Sequence, residues 1–79
     1  MHNLYTLKDL NIDETGYVSS LIAGDDIRRR LLDMGLVTGT KVSCVLKSPG
    51  GDPVAYNIRG AVVALRNSDS EKIFIKRSM

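Results

Sequence analysis

Histidine, cysteine and proline are nearly missing from this chain, and charge of one sign does not dominate it: among 79 residues there are one histidine, one cysteine and two prolines, and the net charge is +2. A lone cysteine, Cys44, cannot close an intrachain disulfide, so the chain suits a reducing compartment. The only histidine is His2, near a chain end, so no Ser-His-Asp or Cys-His constellation can be assembled and an enzyme is not expected. No apolar run approaches the roughly 20 residues of a membrane span. The opening MHNLYTLKDL lacks the uninterrupted apolar core and small-residue cleavage site of a signal peptide. A cytoplasmic location is therefore expected. The small net charge does not demand a polyanionic partner.

What is present is an ordinary globular composition, 43% apolar, over a length that suits one small-core domain spanning residues 1–79. The most informative stretch is DDIRRRLLDMGLVTGT, Asp25 to Thr40. Asp25 has the chemistry of an N-cap, and Asp26 adds negative charge where the helix dipole favours it. Ile27, Leu31 and Met34 fall at i, i+4 and i+7, an apolar stripe widened by Leu32, while Asp26, Arg29 and Asp33 lie on the far side. Gly35 fits the left-handed position after a helix, with Leu36 folding back onto Leu31. Val37-Thr38-Gly39-Thr40 suits a turn that needs positive φ at its third residue. A helix this short must lie on an apolar surface.

The remaining chain reads as short strands. Leu4, Leu7 and Leu10 suit either a single helical or 3₁₀ turn over a barrel end or an irregular lead-in with three anchors. Asp13 to Gly16 carries turn chemistry before a strand from Tyr17 to Ile22, in which a bulge near Ser19-Ser20 reconciles the broken alternation. Lys41 to Lys47 alternates, placing Val42, Cys44 and Leu46 on one face. Ser48-Pro49-Gly50-Gly51-Asp52-Pro53 is the most loop-like segment. Val54, Tyr56 and Ile58 then alternate, Arg59-Gly60 turns a hairpin, and Ala61, Val63 and Leu65 form the inward set of the next strand. Asn67 to Ser70 is turn-forming, and Glu71 to Lys76 closes the chain with Ile73 and Ile75 inward. About five strands with tight connections and one short helix give a mainly β, strongly bent antiparallel barrel rather than repeated βαβ units.

The run RRRLLDMGLVTGTKV, then SPGGDPVAYNIRG, then ALR before a closing I-x-I strand, resembles the FeoA family, small cytoplasmic proteins of bacterial ferrous iron uptake. The resemblance covers roughly Leu7 to Lys76, with Thr38 standing where the family commonly has proline and Gly50 where a larger apolar residue is common. It implies an SH3-like barrel, as in the end domain of iron-dependent repressors. It also implies a partner, the membrane transporter FeoB with its cytoplasmic GTP-binding domain, which would recruit the protein to the inner face of the membrane. Iron linkage comes from the resemblance alone.

The residues themselves offer few chemical groups. Gly50-Gly51 lacks the lysine and the following Ser/Thr of a phosphate-binding loop. A divalent transition metal such as iron would take imidazole or carboxylate, yet Cys44 reads as a small buried hydrophobe, and Asp25, Asp26 and Asp33 already have helix roles. Arg28-Arg29-Arg30 is the densest charge run; its plain explanation is a solvated flank, with Asp26 and Arg30 paired at i, i+4 and the heads of Arg28 and Arg29 pointing outward. Tyr5, Tyr17, Tyr56 and Phe74 could stack on bases but are not interleaved with the arginines. The expected function is a non-enzymatic accessory module that docks on FeoB through Arg28, Arg29 and the loop Ser48, Pro49, Gly50, Gly51, Asp52 and Pro53. The alternatives are a divalent-metal sensor or carrier barrel and, behind it, a small nucleic-acid-binding barrel.

Overall fold

Helix α1 (Asp25–Asp33) forms where the apolar stripe predicts it, and it is held at its end more firmly than at its start. The computed structural model describes residues 5–22 and 24–77; His2, Leu4 and Ala23 lie outside these. Gly24, not Asp25, is the N-cap, and no side chain caps it; the Gly24 carbonyl accepts from Arg28 N–H at 2.8 Å. Asp25 is the first helical residue, so both aspartates act through the dipole of the first turn rather than by capping. Leu31 is fully buried, Ile27 and Met34 pack partly against the core, and Leu32 stays in solvent.

The helix ends in a Schellman motif. Gly35 has φ +95°, its N–H donates to Leu32 C=O at 2.9 Å, and Leu36 N–H donates to Leu31 C=O at 3.2 Å. Leu36 is thereby turned into the core beside Leu31. The following turn closes with Thr40 N–H on Val37 C=O, and Gly39, at φ +91°, takes the positive-φ position. Both glycine expectations hold.

The sheet has six antiparallel strands: β1 (Tyr5–Thr6), β2 (Thr15–Leu21), β3 (Lys41–Lys47), β4 (Val54–Ile58), β5 (Ala61–Leu65) and β6 (Ile73–Lys76), in the order β1-β6-β2-β3-β4-β5. The two-residue β1, paired with β6, was not legible in the sequence. The 3₁₀ turn Leu7–Asp9 follows it, with Leu7 and Leu10 buried, as the helical-turn reading of the leucine spacing requires. β2 begins at Thr15, two residues earlier than the sequence suggests, and its register shifts between Val18 and Ser20, the expected bulge. Asn67–Ser70 forms a single turn of helix, α2, which delays β6 to Ile73.

Leu46 corrects the reading of β3. A register shift against β4 between Cys44 and Leu46 breaks the alternation, so Val42 and Cys44 are buried while Leu46 is 61% exposed. Val54, Tyr56 and Ile58 face inward as expected. In β5, burial rises along the strand: Ala61 is exposed, Val63 partly buried and Leu65 buried. The buried side chains form one cluster that joins strands β2 through β6, α1 and the 3₁₀ turn, with Ile73 and Ile75 from β6, and Tyr5 of β1 packs against it partly buried. Tyr56 is its one large polar-tipped member, and its hydroxyl donates to Leu7 C=O at 3.1 Å.

Gly35 gives a direct test of this frame. A Cβ built there would lie 3.1 Å from Arg59 Cδ, and the backbone sits in the left-handed region. Gly35→Val should cost about 1–3 kcal/mol in denaturant unfolding. Wild-type stability would mean that the helix stop does not need the glycine.

Candidate functional site

The predicted contact residues occupy two exposed patches tied to the same short helix. Arg28 and Arg29 line a shallow open groove on α1 of about 300 Å³ with Asp25, Leu32 and Asp33. Arg28 is less free than its helical position suggests, because Nη1 donates to Leu21 C=O at 3.1 Å and ties α1 to the end of β2. Arg29 is exposed and, among the described residues, makes no ion pair. Arg30 does not pair with Asp26; its Nη2 reaches Asp69 Oδ2 in α2 at 3.0 Å. The three consecutive arginines therefore do three different things.

The other patch is the Ser48 to Pro53 loop. Residues 48–51 form a tight turn closed by Gly51 N–H donating to Ser48 C=O at 2.7 Å, with Gly50 at φ 84° in the position after proline as a type II turn requires, and Asp52-Pro53 is a cis peptide. The loop is pinned from α2: Asn67 N–H donates to Asp52 Oδ1 at 3.0 Å, and Asn67 Nδ2 donates to Gly51 C=O at 2.9 Å. Asn67 Oδ1 is buried and has no partner among the described residues. Pro49, Gly50, Asp52 and Pro53 are exposed, whereas Ser48 and Gly51 are partly covered. α2 thus holds the loop through Asn67 and α1 through Asp69. Sequence spacing gave no signal for either link, since the partners lie 15, 16 and 39 residues apart.

Cys44 is 1% exposed, opposite Tyr56 in the β3–β4 ladder, and burial pushes its thiol pKa up. Among the described residues, no three His, Cys, Asp or Glu side chains converge as metal ligands would. Tyr56 is buried, and the Arg77 guanidinium lies 4.4 Å from the centre of the Tyr5 ring. Two of the four aromatics are thus already engaged within the fold. No helix of the described residues is long and apolar enough to cross a membrane.

This arrangement defines a class: a small, strongly bent antiparallel β-barrel that carries one short helix against its core. The FeoA domain model matches residues 5–77, and the chain belongs to the FeoA family. It is 31% identical over 70 residues to an Fe(2+) transport protein A/Fe(2+) transporter FeoB fusion protein of Porphyromonas gingivalis; the match takes in 89% of this chain and 8% of that protein's length. Stenotrophomonas maltophilia FeoA, an SH3-domain protein solved with zinc, shares 33% identity and superposes with TM-score 0.81, covering 91% of this chain and 89% of that one. A manganese-dependent transcriptional repressor, solved with manganese, shares the fold at 16% identity and TM-score 0.86, over 99% of this chain and 38% of the repressor. The fold is accordingly the expected SH3-like barrel.

Two measurements check these placements. Thiol labelling of Cys44 should be slow in the native protein and quicken on unfolding; fast native labelling would mean that the strand opens readily. Glu14 supplies the second. Asn11 N–H donates to one carboxylate oxygen at 2.7 Å and Arg77 pairs with the other, and these contacts, in that order of weight, hold its pKa below the usual value. A depressed folded pKa contributes stability above the unfolded value of about 4.3 and loses it as pH falls through the folded value. Glu14→Gln should therefore flatten the acid limb of the stability–pH curve. An unchanged limb would assign the acid sensitivity elsewhere.

Proposed function

We propose that this protein is a non-enzymatic accessory or regulatory module of ferrous iron uptake that docks on the FeoB transporter from the cytoplasmic side. The observation carrying this reading is the Porphyromonas gingivalis fusion, in which the matching segment shares one chain with FeoB. Covalent linkage keeps two modules at high effective concentration, and modules that must work together are the ones such linkage serves. The Arg28–Arg29 groove and the Ser48 to Pro53 loop are the proposed contacts. Both are exposed, and both are held by α2, so a partner could engage them without unfolding the barrel.

A second reading is a barrel that senses or carries a divalent metal, which the zinc in the Stenotrophomonas maltophilia structure favours. Anaerobic titration with ferrous iron distinguishes the two, because docking alone requires no stoichiometric site in the isolated chain. Nucleic-acid binding has less support, since Tyr56 is withdrawn into the core.

Charge reversal tests the docking surface. Surface substitutions usually change stability by about 0.5 kcal/mol or less, and the Arg28 contact to Leu21 lies at the surface. Arg28→Glu/Arg29→Glu should fold with a near-normal thermal melt but weaken retention of FeoB and ferrous iron uptake, because like charges penalise encounter with an acidic surface. Normal folding with normal FeoB retention and uptake would remove α1 from the interface.

A further inference from the structure

Strand β5 is the last of the sheet: β4 pairs with one side and, among the described residues, nothing pairs with the other. Its sequence, AVVAL, holds no charge and no proline, and its register with β4 is unbroken. Charge, proline and bulges are the devices by which edge strands usually refuse partners. The preceding turn has Arg59 at φ 54° and Gly60 at φ 90°, a type I′ two-residue hairpin. In such a hairpin the flanking pair, Ile58 and Ala61, is hydrogen bonded, and bonding alternates from there. Val62 and Ala64 therefore aim their N–H and C=O groups away from β4. No backbone bond outside the β4 ladder reaches them among the described residues. The surface beside them is apolar: Val62 is 63% exposed, and Leu46, in the row Leu46–Ala55–Ala64, is 61% exposed.

The ends of the strand indicate what fits it. Arg59 and Arg66 bracket β5, both exposed and neither in an ion pair among the described residues. Two copies of β5 joined antiparallel, with Val62 opposite Ala64 of the second copy, would bring Arg59 of one beside Arg66 of the other at both ends. Like charges so placed oppose the pairing. An extended segment with an apolar middle and Asp or Glu at each end meets opposite charge in either strand direction. We propose that the outer edge of β5 takes an acid-flanked, apolar, extended segment of a protein partner as an added strand. This deepens the docking reading and rests on it only for the identity of the protein that owns the segment.

The full chain can be probed with two synthetic peptides of alternating valine and threonine, one ending in Asp on both sides and one in Lys. Hydrogen exchange of the Val62 and Ala64 amides, fast in the free protein, should slow by about tenfold or more with the acidic peptide in excess and not with the basic one. Val62→Pro removes one outward donor without touching the β4 ladder and should abolish the slowing at Ala64, with protected β4 amides reporting an intact fold. Arg66→Glu leaves the backbone unchanged and should shift preference toward the basic peptide. No slowing, or equal slowing with both peptides, would overturn the proposal. So would slowing that needs no peptide and grows with protein concentration, which would give the edge to a second copy. FeoB retention is scored separately. Peptide protection without FeoB retention by the wild-type chain would sink the docking reading and leave the edge site standing. Equal FeoB retention by wild type and Val62→Pro, with no peptide protection, would do the reverse.

Discussion

The connection from Gly35 to Thr40 is the constraint on which the rest of this structure depends. Within six residues it ends α1, turns Leu36 into the core and launches β3. It also touches every neighbouring element. Gly39 N–H donates to Val18 C=O at 2.7 Å, Val18 N–H donates to Thr40 C=O at 2.9 Å, and Thr40 Oγ1 donates to Gly35 C=O at 3.0 Å. The stem of Arg59, from the β4–β5 turn, lies over Gly35. Two positive-φ positions thus set the angle between the helix and two strands, and only glycine reaches such φ without steric cost.

Around that connection, stability divides unequally. The apolar cluster is small, and removal of its side chains from water supplies the main favourable term, at about 25 cal/mol for each Å² of apolar surface. The three ion pairs found among the described residues all involve exposed or partly exposed partners, and such pairs contribute about 0–1 kcal/mol each. Their value is positional. Arg30–Asp69 holds α2 against α1, and Arg77, between Glu14 and Tyr5, ties the segment after β6 to β1 and to the turn before β2. Tyr56 is the costlier arrangement, a hydroxyl in the core, and the Leu7 carbonyl offsets its desolvation. That bond gives the 3₁₀ turn a reason to sit over the barrel end.

The chemical groups of the described residues are mostly committed to the fold. The one thiol, Cys44, is sealed between strands with its ionisation opposed by burial. What the surface offers is a groove on α1 lined by Arg28, Arg29, Asp25 and Asp33, a loop pinned by Asn67 and an apolar strand edge. Iron enters through family membership, not through any cluster of ligands in the described residues.

The sequence by itself determined most of what depends on near neighbours, the helix N-cap, at Gly24 rather than Asp25, being the exception. The α1 stripe, the Gly35 stop, the Gly39 turn, the bulge in β2, the inward faces of β4 and β6 and the burial of Cys44 all follow from local spacing and backbone chemistry. The resemblance carried by RRRLLDMGLVTGTKV and SPGGDPVAYNIRG supplied the family, because such runs combine several local constraints at once. Tertiary structure alone decided the rest. A two-residue β1 has too few residues to show periodicity and exists only because β6 pairs with it. Leu46 turns outward because a shift against β4 breaks the alternation, and register belongs to a pair of strands. Arg30 selects Asp69 over Asp26, and Asn67 grips the Ser48 to Pro53 loop, because folding brings distant groups together at spacings that no sequence window spans.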